Sequence, residues 1–135
     1  MPRVHRLGPE ARDALIATLA EELADRPEVS FAYLYGSFLH ADGFRDVDVA
    51  VWTTPQAHRF ADVDLAARLS RRTGLPVDVR RLNDAPLAFA FHALRGRLLS
   101  VQDELLLANV IERTARLYHD QAPFVRRATR EAFAA

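Results

Sequence analysis

The residues best suited to chemistry lie in one stretch, YGSFLHADGFRDVDVAVW, from Tyr35 to Trp52. An apolar run ends at Gly36-Ser37, and after eight intervening residues Asp46-Val47-Asp48 opens a second apolar run. Residues two apart share a face of an extended strand, so Asp46 and Asp48 project together while Val47, Val49 and Val51 project oppositely. Two carboxylates held side by side repel unless a cation joins them, and a hard divalent ion is the partner that oxygen ligands favour. Asp78, flanked by Val77 and Val79, adds a third acid in a later apolar run. If these runs are neighbouring strands, three acids converge. That is the arrangement of a two-metal phosphoryl or nucleotidyl transfer site, with ions roughly 3.5–4 Å apart. Glycine at the strand end lets backbone N–H groups approach an anion, and the Ser37 hydroxyl adds a donor.

Taken singly, these features are commonplace. An Asp-x-Asp can be a solvated strand edge, a Gly-Ser a turn, and Asp42-Gly43 reads as a turn. Their combination in this order is what carries weight. Every one of the eighteen basic residues is Arg, so phosphate contact falls to arginine, which suits it through bidentate hydrogen bonding. Arg45 precedes the acid pair and Arg80 lies two beyond Asp78 on the same predicted face; each reads equally as a phosphate ligand or as a surface neutraliser. His40 reads as an exposed loop residue and His92 as a packed or surface one. No His pair has the spacing of a zinc helix.

The elements that must position these residues can be read from periodicity. Leu15, Ile16, Leu19 and Leu23 predict a helix from about Pro9 to Arg26. Strands are predicted at Ser30–Tyr35 and Val47–Trp52, then a helix from Phe60 to Thr73 capped by Gly74. A strand Val77–Leu82, a helix Pro86–Arg95 ending at Gly96 and a short strand LLSV follow. The last third, Asp103 to Ala135, reads as helix broken near Ala122–Pro123. This order predicts an α/β or α+β domain, a mixed sheet with flanking helices.

The quoted residues resemble the minimal nucleotidyltransferases of the DNA polymerase beta superfamily. Their signature is an apolar strand, Gly-Ser, a spacer, Asp-x-Asp and a third acid on a later strand; here it reads YLYGSFLHADGFRDVDVAVW, then LPVDVRRLNDAP. The spacer is shorter than in the commonest members. The resemblance spans roughly residues 10–102. It implies a nucleotidyltransferase domain over 1–102 in the polymerase-beta-like fold, with 103–135 as its helical extension. By the same resemblance Asp46 and Asp48 bind two Mg²⁺ ions (Mn²⁺ can substitute), and Asp78 completes the metal site and takes the acceptor's proton. Gly36 and Ser37 match the pair that holds the nucleotide's β- and γ-phosphates. Small stand-alone members are similar to the antitoxin half of toxin–antitoxin pairs. That implies AMP transfer from ATP to a tyrosine of a helical HEPN-type toxin.

Composition narrows the field further. The 135 residues make one domain with ordinary globular content and a net charge of zero, so no overall field draws the chain to nucleic acid or an anionic membrane. The absence of Lys removes a Walker-type lysine, a Schiff base and a lysine general base. The absence of Cys removes thiolate chemistry and fits a reducing, cytoplasmic setting. No apolar run reaches the roughly 18 residues of a membrane span. Leu105, Leu106, Ala108, Val110, Ile111, Ala115 and Leu117 make a broad apolar helix surface. It serves either the core or a partner or homo-oligomer contact. The competing functions are a nucleotidyltransferase, a contact-only antitoxin of the same fold, and transfer to a small molecule.

Overall fold

A computed structural model describes residues 3–133, with side chains through residue 121. The sheet's two central strands are β2 (Val29–Tyr35) and β4 (Val47–Thr53). They are flanked by β5 (Val77–Arg81) and β6 (Arg97–Val101), in the order β5-β4-β2-β6. β2 runs antiparallel to both its neighbours, whereas β4 and β5 are parallel. The sheet is therefore mixed, as the element order implies. β2 is buried at all seven positions because helices cover both its faces.

Alternation sorts the side chains. Leu34, Val47, Val49 and Val51 point to the face covered by α1 (Pro9–Ala24) and α3 (Ala61–Thr73). There they meet Leu15, Leu19, Leu23, Leu65 and Leu69, and each buried Val or Leu side chain contributes roughly 1.5–3 kcal/mol. Phe31, Tyr33, Tyr35 and Ala50 face the other way, onto α4 (Leu87–Leu94) and α5 (Glu104–Phe133). α3 starts with Asp62 and Asp64, ends with Arg71 and Arg72, and stops at Gly74 at φ 72°, so charge and cap agree with its direction. Glu22 on α1 holds Arg72 of α3 at 2.6 Å and Arg26 at 2.6 Å, pinning the two helices together. Asn83 receives Thr53 N–H at 3.0 Å and donates to its carbonyl at 2.8 Å, fixing the β5–α4 loop against the end of β4.

Three short elements escape the sequence reading: β1 (His5–Arg6), α2 (Ser37–His40) and β3 (Gly43–Phe44), with β1 and β3 paired antiparallel. His40 thus ends a helical turn, and Gly43 sits in a strand at ordinary φ where a turn is predicted. A second difference is at Pro123. The predicted break is absent and α5 runs through it, although an interior proline loses a backbone bond and crowds the carbonyl four residues back. The predicted end of that helix at Ala135 lies outside the described residues. Among the described residues, no helix is long and apolar enough to cross a membrane.

Candidate active site

The parallel pairing of β4 with β5 puts Asp48 directly beside Asp78, and the antiparallel pairing of β2 with β4 puts Tyr35 opposite Asp48. Asp46 lies just before β4, exposed at its mouth. The face that carries Asp48 is the one opposite Val47, Val49 and Val51, so strand alternation alone separates chemistry from core.

Gly36 turns the chain over this spot. Its φ is 87°, a region side chains avoid, and a Cβ built on it would overlap Asp48 Oδ2. The backbone therefore passes against the carboxylate and leads at once into Ser37, which is exposed at the start of α2. A cleft of about 380 Å³ opens there, bounded by Ser37, Phe44, Arg45, Asp46 and Asp48, with Val4 from the segment before β1 as its outer wall. A larger cleft of about 580 Å³ lies against α3, lined by Arg26, His58, Arg68 and Arg71 among others. It contains none of the strand carboxylates, so size does not decide which cleft is the site.

Electrostatics single out Asp48. Burial, then the negative charges of Asp78 and Asp46, push its carboxyl up from 3.8 to about 6, against a smaller opposing pull from Arg80. Burial, with Asp48 next, pushes the Tyr35 hydroxyl up to about 12, which keeps it protonated. Asp78 is more exposed and pairs with Arg80 Nε at 3.5 Å. Among the described residues, no three His or acidic side chains are already gathered into an ion-holding group. The donor set nevertheless fits a hard divalent cation. It is all carboxylate oxygen, concentrated in negative charge, beneath a glycine cradle that a side chain would fill.

The structure thus brings Gly36, Ser37, Arg45, Asp46 and Asp48 to one cleft, while Asp78, beside Asp48 on the next strand, and Arg80 are not part of its lining. Sequence reasoning misses Arg12. From α1 its guanidinium donates to the carbonyls of Phe38 and Ala41, the latter at 2.7 Å, and lies 4.6 Å over the Phe38 ring. One arginine thereby holds the whole α2–β3 loop that walls the cleft. It also misses Phe89, whose ring meets Tyr35 edge-on at 5.4 Å and lies 5.5 Å under Arg80. A surface arginine and a helix phenylalanine carry no motif, so neither is visible without the fold.

On α5 the apolar surface divides. Leu106, Leu107 and Val110 pack towards the sheet, while Leu105, Ile111 and Leu117 are 73%, 40% and 37% exposed.

Comparison with known proteins agrees with this architecture. Residues 17–105 match the family model described as Polymerase beta, Nucleotidyltransferase. The structure is similar to that of a chain from a tri-AMPylated Shewanella oneidensis HEPN toxin in complex with MNT antitoxin (TM-score 0.67, 22% identity, 92% of this chain and 99% of that one). It is also similar to a chain of a toxin–antitoxin complex with AMP-PNP (TM-score 0.60, 20% identity, 87% and 98% covered). A third similar structure is the toxin–antitoxin MntA-HepT (TM-score 0.56, 19% identity, 90% and 99% covered). No curated protein sequence matches significantly. At these identities the structural likeness establishes the fold, while the family match spans well over half of the chain. The chain belongs to the polymerase beta nucleotidyltransferase family.

Proposed function

We propose that this domain is a Mg²⁺-dependent nucleotidyltransferase that moves AMP from ATP onto a tyrosine hydroxyl of a HEPN-type toxin, and so acts as the antitoxin of that pair. The observation that carries the reading is the register of β4 and β5, which sets Asp48 beside Asp78 directly under the Gly36 turn. The known complexes of similar fold, one of them AMPylated and one holding AMP-PNP, support the choice of partner and nucleotide.

Asp46 and Asp48, with Asp78, would hold the metal, which when bound neutralises the triphosphate and polarises its α-phosphate. Ser37 and the backbone around Gly36 donate to the β- and γ-phosphates, and Arg45 supplies a bidentate cation from the same cleft. Arg80 approaches the α-phosphate from the β5 side. Asp78 accepts the phenolic proton as the new P–O bond forms, and the bond from the α-phosphorus to pyrophosphate breaks with its electron pair on pyrophosphate. Positioning and electrostatics are the protein's main contributions.

A contact-only antitoxin is the second reading. It is favoured by the ungathered acids and by the exposed Leu105 and Ile111 on α5. Incubation with each α-labelled NTP, Mg²⁺ and a HEPN-type partner separates the two. Label from ATP on the partner, lost in Asp46→Asn and Asp48→Asn, supports transfer. A tight complex with no label from any NTP refutes it.

A further inference from the structure

The 380 Å³ cleft is short of positive charge for a polyphosphate. Among the described residues that line it, Arg45 is the one cation, and it shares the cleft with Asp46 and Asp48. Two other arginines near the site are engaged elsewhere. Arg12 is spent on the carbonyls of Phe38, Ala41 and Asp42, and Arg80 pairs with Asp78 outside the lining. A further cation comes from the ribbon of β1 and β3, which stands apart from the main sheet and pairs His5 with Phe44 and Arg6 with Gly43. Val4 and Arg6 are two apart, so they share one face of that ribbon. The geometry at Gly43 identifies the face: a Cβ there would come within 2.8 Å of Val4 Cγ1 and 3.8 Å of Arg6 Nη2. Val4 and Gly43 both line the cleft, so Arg6 stands at its rim on the side turned towards it. His5 anchors the ribbon between them, its ring 5.7 Å from that of the buried Phe44. Arg6 itself is exposed and makes no ion pair among the described residues. It also lies outside residues 17–105, so the family match does not supply it.

We propose that the β1–β3 ribbon is a strap across the phosphate end of the cleft, and that Arg6 is the residue that reads the terminal phosphate of a nucleoside triphosphate. This rests on the transfer reading above and deepens it. With Asp46 and Asp48 at one end and Ser37 beside them, the wall left for the far end of a triphosphate is Val4 and Gly43. A phosphate there meets the Arg6 guanidinium, whose planar fork matches two phosphate oxygens. Gly43 keeps that approach open, because a side chain at this position would press on Val4 beside Arg6. A diphosphate is one phosphate shorter and gains less from Arg6; a monophosphate gains nothing. The strap thereby selects by phosphate number and leaves the base unread.

The test is calorimetric titration of the full chain with α,β-methylene ATP, α,β-methylene ADP and AMP in Mg²⁺; the methylene bridge keeps the phosphates and blocks transfer. Arg6→Ala is expected to weaken the triphosphate about tenfold, the diphosphate about twofold and AMP not at all. Arg6→Lys keeps the charge without the fork and is expected to lose about threefold for the triphosphate, whereas Arg6→Glu is expected to bind it more weakly than Arg6→Ala. An order of Arg, Lys, Ala, Glu for the triphosphate beside a flat series for AMP supports the strap, since a merely structural role would not follow charge. Because Arg6 is exposed, all three variants are expected to melt with the wild type. A triphosphate Kd unchanged in Arg6→Ala and Arg6→Glu overturns the proposal. Equal weakening of all three nucleotides marks a structural role and overturns it too. Wild-type protein that binds none of the three refutes the transfer reading itself, and the strap with it.

Discussion

Replacing Asp48 by Asn is expected to make the metal-free protein more stable while abolishing transfer. Burial of Asp48, and after it the negative charges of Asp78 and Asp46, raise its carboxyl from 3.8 to about 6. Because the folded protein holds this proton more tightly than the unfolded chain, stability falls as pH rises through that interval and stays lowered above it. The rise corresponds to about 3 kcal/mol at the limit. Solvent screening at a half-open site reduces it to about 1–2 kcal/mol. For a domain of this size that is a rise in Tm of about 4–7 °C at about pH 8 in EDTA, shrinking as pH falls through that interval and gone only below about pH 3, beneath both the folded and the unfolded value. Added Mg²⁺ with ATP is expected to raise the wild-type Tm by mass action and leave Asp48→Asn behind. Thermal melts across pH, with and without metal, read all of this. An Asn variant that melts at or below wild type at about pH 8, or a gap that does not depend on pH, would refute the reasoning.

Gly36→Ala combines a strained φ with overlap onto Asp48, so nucleotide binding is expected to fall at least tenfold by calorimetry while the far-UV spectrum is kept. Arg12→Ala frees the α2–β3 loop; KM for ATP is expected to rise several-fold and Tm to drop by a few degrees, with Arg12→Lys recovering little because a lone ammonium cannot reach the several carbonyls that the guanidinium fork does. Glu22 is held below the usual carboxylate range by Arg26 and then Arg72, so its stabilising contribution is present at neutral pH and lost as pH falls through its folded pKa; Glu22→Gln is expected to lower Tm at neutral pH and to converge with wild type in acid. Leu105→Ser with Ile111→Ser, both exposed on α5, is expected to weaken pull-down of a HEPN-type partner without altering the Kd for ATP.

The parts of the fold that repeat with a period were legible. The alternation Val47, Val49, Val51 against Asp46 and Asp48 placed β4 and its two faces, and the Leu spacing of α1 and the Gly74 cap of α3 came from the same kind of signal. Two-residue strands have no period to detect, so β1 and β3 were invisible, and the four-residue turn of α2 that follows Gly36 is too short to show one. Pro123 shows the opposite failure: a strong local breaker that the backbone of α5 tolerates. Within the candidate site, the residue types were readable from Asp-x-Asp and Gly-Ser, but the register that sets Asp48 beside Asp78 is a tertiary fact. Arg12 reaches across 29 positions to the Ala41 carbonyl, a separation that no local pattern encodes.

The same strand therefore carries two opposed demands. On one face of β4 three valines, each fully excluded from solvent, contribute several kcal/mol to the fold. On the other, Asp48 costs stability for as long as no cation compensates its neighbours. A central strand, hydrogen-bonded on both sides and covered by α1 and α3, can hold that unfavourable charge in a fixed place where an exposed loop would let it swing away. The Gly36 turn adds to the constraint by removing the space into which the carboxylate could retreat. Repulsion among the acids then becomes binding potential, because a ligand that neutralises them recovers what folding gave up. Arg80, poised between Asp78 and Phe89, offsets part of that repulsion in the free protein.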